Sequence, residues 1–123
     1  MACLETGQNF LDLGCGDGRL VALAMRNYSK VNGIDITDKR LEEARDRCVT
    51  SGRPDQIGQF LAVNLNEPFP FPDASVDAIA AISVLEHVFD VYAFVRECNK
   101  ILRSNGVLVV EVPNIAYFKH RIR

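Results

Sequence analysis

Tryptophan is absent from this 123-residue chain, histidine occurs only twice, and neither sign of charge dominates: 16 acidic against 14 basic residues leave a net charge of -2. Aliphatic side chains must therefore build most of the core. Basic residues are scattered until the terminal Lys119-His120-Arg121-Ile122-Arg123, so the chain lacks the footprint of an autonomous nucleic-acid binder or of a protein drawn to anionic membranes. No apolar run approaches the ~20 residues of a membrane span. The first residues also lack the charged and apolar segments of a secretory signal, and the expected compartment is the cytoplasm. Cysteine is present four times, at Cys3, Cys15, Cys48 and Cys98, but with no C-x-x-C pair and no neighbouring histidine pair. That spacing argues against a zinc or disulfide framework, and no metal site is expected.

What is present begins at Phe10-Leu11-Asp12-Leu13-Gly14-Cys15-Gly16-Asp17-Gly18. Three glycines at alternate positions after an apolar run cost stability in any regular element, so they need a backbone reason. Close approach of a ligand to the main chain is one. Cys15, inside the loop, has no base nearby in sequence, and its thiol reads as a small side chain tolerated in a tight turn, not as a nucleophile.

Strands and helices alternate along the rest. Asn9 to Leu13 reads as a short buried strand, Asp17 to Tyr28 as a helix with Leu20, Leu23, Ala24 and Tyr28 at helical spacing, and Val31 to Ile36 as a second strand. Thr37 or Asp38 caps a helix striped by Leu41, Ala44 and Cys48, which Ser51-Gly52-Arg53-Pro54 stops. Gln59 to Val63 forms a third strand before the loop Glu67-Pro68-Phe69-Pro70-Phe71-Pro72-Asp73, whose phenylalanines are expected to pack over the sheet edge. Asp77 to Ile82 is apolar almost throughout, as in a strand buried on both faces. A helix from Val91 to Leu102 then presents Phe94, Val95, Cys98, Ile101 and Leu102, and Ser104-Asn105-Gly106 separates it from a fifth strand, Val107 to Val112. This alternation implies right-handed crossovers and a parallel sheet with helices on both faces.

Ligands of such sheets bind at the carboxyl ends of the strands, where the strand order reverses, and the glycine loop follows the first strand. Asp35, ending the second strand, can accept from both hydroxyls of a ribose, which points to an adenosine-containing ligand. Dinucleotide sites use G-x-G-x-x-G, whereas this loop is G-x-G-x-G with acids at Asp12 and Asp17 that would repel phosphates yet suit an ammonium group. No Lys-Ser/Thr follows, so a P-loop is excluded. An amino acid joined to a ribonucleoside fits better.

Taken in order, Asp12-Leu13-Gly14-Cys15-Gly16-Asp17-Gly18, Gly33-Ile34-Asp35-Ile36, Asn64-Leu65-Asn66-Glu67, Pro70-Phe71-Pro72-Asp73-Ala74-Ser75-Val76-Asp77, Val84-Leu85-Glu86-His87-Val88 and Leu102-Arg103-Ser104-Asn105-Gly106 resemble the class I S-adenosylmethionine-dependent methyltransferases. The resemblance runs from about Asn9 to Asn114. It implies an α/β, doubly wound, Rossmann-like parallel sheet of about five strands in the order 3-2-1-4-5, with S-adenosylmethionine as cofactor and S-adenosylhomocysteine as product. By the same resemblance Asp12 and the backbone of Gly14 and Gly16 hold the methionine portion, with Cys15 between them also counted among the cofactor-binding residues, Asp35 holds the ribose, Ile36 one face of the adenine, and Leu65 N–H a ring nitrogen, while Ser83 lies near the methionine end. Asn64 meets the adenine amino group; the family usually has Asp there, and the amide oxygen can still accept, so adenine recognition is expected to be weakened, not lost. His87 is the candidate general base, with a pocket-lining role as its alternative.

The family usually continues through two more helices and an antiparallel strand pair. The expectation is therefore one cofactor-binding core, residues 1–123, truncated at its C-terminus, with the fifth strand an exposed edge open to association. The function implied is in-line methyl transfer to an unidentified acceptor, a small molecule first among the candidates. A non-catalytic S-adenosylmethionine-binding module or regulatory subunit is the alternative.

Overall fold

The computed structural model describes residues 8–112 and the backbone of a strand at 118–121. Cys3, Asn114 and the side chains of the terminal basic cluster lie outside the described residues. Among the described residues, strands and α-helices follow in order: β1 (Asn9–Leu13), α1 (Arg19–Ala24), β2 (Lys30–Asp35), α2 (Asp38–Ser51), β3 (Ile57–Ala62), β4 (Val76–Ile82), α3 (Val91–Ile101), β5 (Leu102–Glu111) and β6 (Phe118–Arg121). The strands form one sheet in the order β3-β2-β1-β4-β5-β6, parallel from β3 to β5. The strand order reverses between β1 and β4, so the ends of these two strands open the crevice that places the site.

Alternating side chains of each buried strand separate into two cores. Leu11, Leu13, Ile34, Ile79, Leu108 and Val110 face α3, which meets them with Phe94, Cys98 and Ile101. Phe10, Val31, Ala78 and Ala80 face the other way, against Val21 and Ala24 of α1 and Leu41, Ala44 and Cys48 of α2. Phe69 of the proline-rich loop is buried, its ring set edge-on against Phe94 at 5.8 Å, and its N–H donates to Glu97 of α3 at 3.0 Å. The loop is thereby fastened over the α3 face.

Three local expectations change. The helix predicted from Asp17 to Tyr28 is only Arg19–Ala24, because Gly18 precedes it in the left-handed region and the chain after it tightens, with Met25 N–H bonding to Ala22 and Arg26 N–H to Leu23. Its buried face also differs. A Cβ on Gly18 would lie 2.5 Å from the Ala44 backbone, so α1 and α2 touch there; Val21, one turn on, follows inward, leaving Leu20 and Leu23 36% and 52% exposed. Finally, β5 begins at Leu102 instead of Val107. Its register on β4 jumps from Val76–Leu102 to Ala78–Val107, and Asn105 takes a positive φ of 68°, so Ser104-Asn105-Gly106 is a bulge within the strand.

The sixth strand corrects a further expectation. β6 pairs antiparallel with β5 from Val107–Arg121 to Val110–Phe118. Backbone groups of β5 that would have formed an exposed edge are taken up by this ladder, which removes the basis for association through that edge.

α3 begins with Asp90, whose carboxylate accepts from Ala93 N–H at 3.1 Å. Asp90→Ala orphans that donor and is expected to cost about 1 kcal/mol. Urea denaturation measures it.

A candidate cofactor cleft at the strand ends

At the carboxyl end of β1 the chain must turn over the end of β2. The N–H groups of Gly14 and Cys15 both donate to the Ile34 carbonyl, at 2.7 and 2.9 Å. Gly14 does this with φ at 74°, and a Cβ there would sit 2.5 Å from Val84 Cγ1. Position 14 is therefore a glycine partly because the protein itself, just past the end of β4, fills the space. Gly16, also left-handed at φ 54°, aims its N–H at Asp35 Oδ2, 2.9 Å away. The second oxygen of Asp35 accepts from Ile36 N–H at 2.7 Å and Thr37 N–H at 3.3 Å. One carboxylate thus fixes the glycine loop to the start of α2.

Around this junction lies a cleft of about 660 Å³. Gly14, Gly16, Asp35, Ile36, Asn64, Leu65, Ser83 and His87, singled out from the sequence, all line it. They come from the ends of β1 and β2, the loop after β3 and the end of β4. Ser83 holds a positive φ of 57°, a strained conformation for a non-glycine residue, where β4 leaves the sheet. His87 closes the short 3-10 turn Leu85–His87 and is exposed.

Asp12 and Cys15 do not line the cleft. Asp12 lies within the sheet, 3% exposed, and no donor among the described residues reaches its carboxylate. Burial, and then the neighbouring Asp35 charge, raise its pKa from 3.8 to about 7. Cys15 packs into the α1–α2 core, its Sγ 2.9 Å from where a Cβ on Gly33 would stand. Burial first, then the charges of Asp12 and Asp35, push its thiol up to about 12. Burial likewise raises Cys48 to about 11 and Cys98 to about 12. Native protein at pH 8 is therefore expected to resist iodoacetamide at these three cysteines and to accept label at each once denatured, as peptide mass spectrometry would report.

Arg40, Val63 and Asn66 line the cleft without having been singled out. Arg40 had a usable signal: it stands in the first turn of the helix after Asp35, and helical side chains lean back toward the N-terminus. Asn66 had none, because its partners are distant. Its Nδ2 donates to Asn64 Oδ1 at 3.1 Å and to the His87 carbonyl at 3.2 Å, its Oδ1 accepts from Phe89 N–H at 2.8 Å, and its own N–H donates to Asn64 Oδ1 at 2.9 Å. This network joins the loops after β3 and β4.

A switch-point crevice with a glycine loop and an acid ending the second strand defines a nucleoside-binding, doubly wound α/β domain. Its buried Asp12 has no cationic partner among the described residues, which suits a cationic ligand better than a pyrophosphate. Comparison with known proteins agrees and goes further: the pattern of the methyltransferase domain family matches residues 11–110, and the chain belongs to that family. A 27-O-demethylrifamycin SV methyltransferase of Amycolatopsis mediterranei is 34% identical over 111 residues, 89% of this chain and 40% of that one. A "Probable S-adenosylmethionine-dependent methyltransferase" of Mycobacterium tuberculosis is 34% identical over 109 residues, 89% of this chain and 37% of that one. The solved YcgJ protein of Bacillus subtilis superposes with a TM-score of 0.76 at 26% identity, covering 89% of this chain and 45% of the other. The chain thus spans about two fifths of the length of the curated relatives it matches. No helix among the described residues is long and apolar enough to cross a membrane.

Proposed function

We propose that the cleft binds S-adenosylmethionine and that the protein, with residues 1–123 as its cofactor-binding core, transfers the methyl group to a small-molecule acceptor. The observation that carries this reading is the gathering of the glycine loop, Asp35 and Asn64-Leu65 around one cleft at the switch point. A carboxylate offers about four acceptor sites, and three N–H groups already occupy Asp35, so its Oδ2 keeps one for a ribose hydroxyl. Ile36 and Leu65 flank the base, and among the described residues nothing accepts from the Leu65 N–H, leaving it for a ring nitrogen. The backbone of Gly14 and Gly16, together with Ser83, receives the amino-acid portion, and ionised Asp12, buried beneath the loop, balances its cationic charge.

The bound sulfonium supplies an activated methyl group with a good leaving group, so the protein's task is alignment and the exclusion of water. As the acceptor's nucleophile bonds to the methyl carbon, the carbon–sulfur bond breaks, its electron pair passes to sulfur, and S-adenosylhomocysteine remains. His87 takes the acceptor's proton. Its imidazole makes no hydrogen bond among the described residues, which leaves a ring nitrogen available. The small-molecule acceptor follows the relative named for 27-O-demethylrifamycin SV, and the cytoplasm is the compartment proposed, since its reducing poise suits three buried free thiols.

Coupled detection of S-adenosylhomocysteine across a panel of small-molecule acceptors tests the transfer. Acceptor-dependent release supports it. Cofactor binding without release under any acceptor would favour a non-catalytic binding module.

A further inference from the structure

Asn64 enters the cleft beside Ile36, Val63 and Leu65, whose apolar side chains give walls for a flat ring. An amide offers an acceptor, Oδ1, and a donor, Nδ2, and which one meets a ligand depends on what engages the other. Neighbours of fixed character decide the orientation. Phe89 N–H can only donate, and it donates to Asn66 Oδ1; the His87 carbonyl can only accept, and it accepts from Asn66 Nδ2. Two backbone groups of the β4–α3 connection therefore orient Asn66. The Asn66 Nδ2 and the Asn66 backbone N–H, again donors only, then both reach Asn64 Oδ1. Turning the Asn64 amide over would set its Nδ2 against two donors. Both lone pairs of Asn64 Oδ1 are thus used, while nothing among the described residues accepts from its Nδ2.

We propose that Asn64 is a specificity-determining residue that presents a hydrogen-bond donor, not an acceptor, to the base in the cleft, with Asn66 as the positioning residue that holds it so. This rests on the reading of the cleft as an S-adenosylmethionine site. It replaces the expectation that the Asn64 oxygen accepts from the adenine amino group, because that group is itself a donor and finds no free acceptor on Asn64. The base is held instead through its ring acceptors and the apolar walls, and its 6-amino group goes unread. A carboxylate at the same position would act differently: one oxygen would serve Asn66 and the other would face the base as an acceptor.

Calorimetric titration with S-adenosylhomocysteine, and with its analogue bearing hydrogen in place of the purine 6-amino group, reads this directly. The wild-type protein is expected to bind the two ligands within about threefold of each other, whereas Asn64→Asp, gaining one charge-assisted hydrogen bond, should prefer the 6-amino ligand by about tenfold or more. Asn66→Ala frees one lone pair of Asn64 Oδ1 and should raise that preference about threefold over wild type, a change that loss of packing alone would not produce. A wild-type preference of about tenfold or more for the 6-amino ligand overturns the proposal, whether or not either variant folds. So does a ratio that neither variant moves. Failure of the wild type to bind either ligand overturns the cofactor reading itself, a result distinct from any ratio.

Discussion

Asp12→Asn is expected to make the free protein more stable at pH 8 while weakening its hold on S-adenosylmethionine. The carboxyl of Asp12 is raised from 3.8 to about 7 by burial and by Asp35, so between these values the folded protein keeps a proton that the unfolded chain has released. Stability from this group is therefore undiminished below pH 3.8, falls as pH climbs, and is lowered in full above about pH 7. The span corresponds to at most about 4 kcal/mol. A neutral amide of the same shape escapes the penalty but cannot offset a ligand's cationic charge. Urea denaturation at pH 5 and pH 8 should show a flatter pH trend in the variant, and calorimetry a weaker affinity. Equal loss of stability at both pH values would mean instead that the carboxylate is held by partners.

Asp35→Ala should reduce affinity for S-adenosylmethionine about 10- to 100-fold, since one charge-assisted hydrogen bond to the ribose is lost at ~1.5–3 kcal/mol. The same change removes the acceptor for Gly16 N–H at 2.9 Å and Ile36 N–H at 2.7 Å, so the glycine loop keeps only its Gly14 and Cys15 bonds to the Ile34 carbonyl of β2. Asp35→Asn separates the two effects. It keeps one acceptor oxygen for the loop while giving up the charge, and its affinity should fall between wild type and Asp35→Ala.

What could be read in advance was whatever a short stretch decides by itself. β1 forms from Asn9 to Leu13 as the sequence predicts, because an apolar run between polar ends has few other places to go. The α2 stripe of Leu41, Ala44 and Cys48 is buried for the same reason, its period being helical. What the sequence does not show has a different cause, contacts between residues far apart in the chain. Gly18 meets Ala44 and sets which face of α1 turns inward; Asn66 meets Phe89 and His87 and ties the loop after β3 to the loop after β4. Neither pairing leaves a periodic trace. The glycine loop occupied both categories, since its conformational freedom was evident while the presence of Val84 against Gly14 was not. Likewise β6 is four residues without an alternating pattern, formed by the backbone need of β5.

Chemical-shift mapping on the 15N-labelled protein tests the central claim, that the cleft at the carboxyl ends of β1, β2 and β4 receives S-adenosylmethionine. Titration should move the backbone amides of Gly14, Gly16, Ile36 and Leu65 furthest, with those changes lost in Asp35→Ala. Shifts confined to the opposite end of the sheet, or none at millimolar ligand, would contradict it.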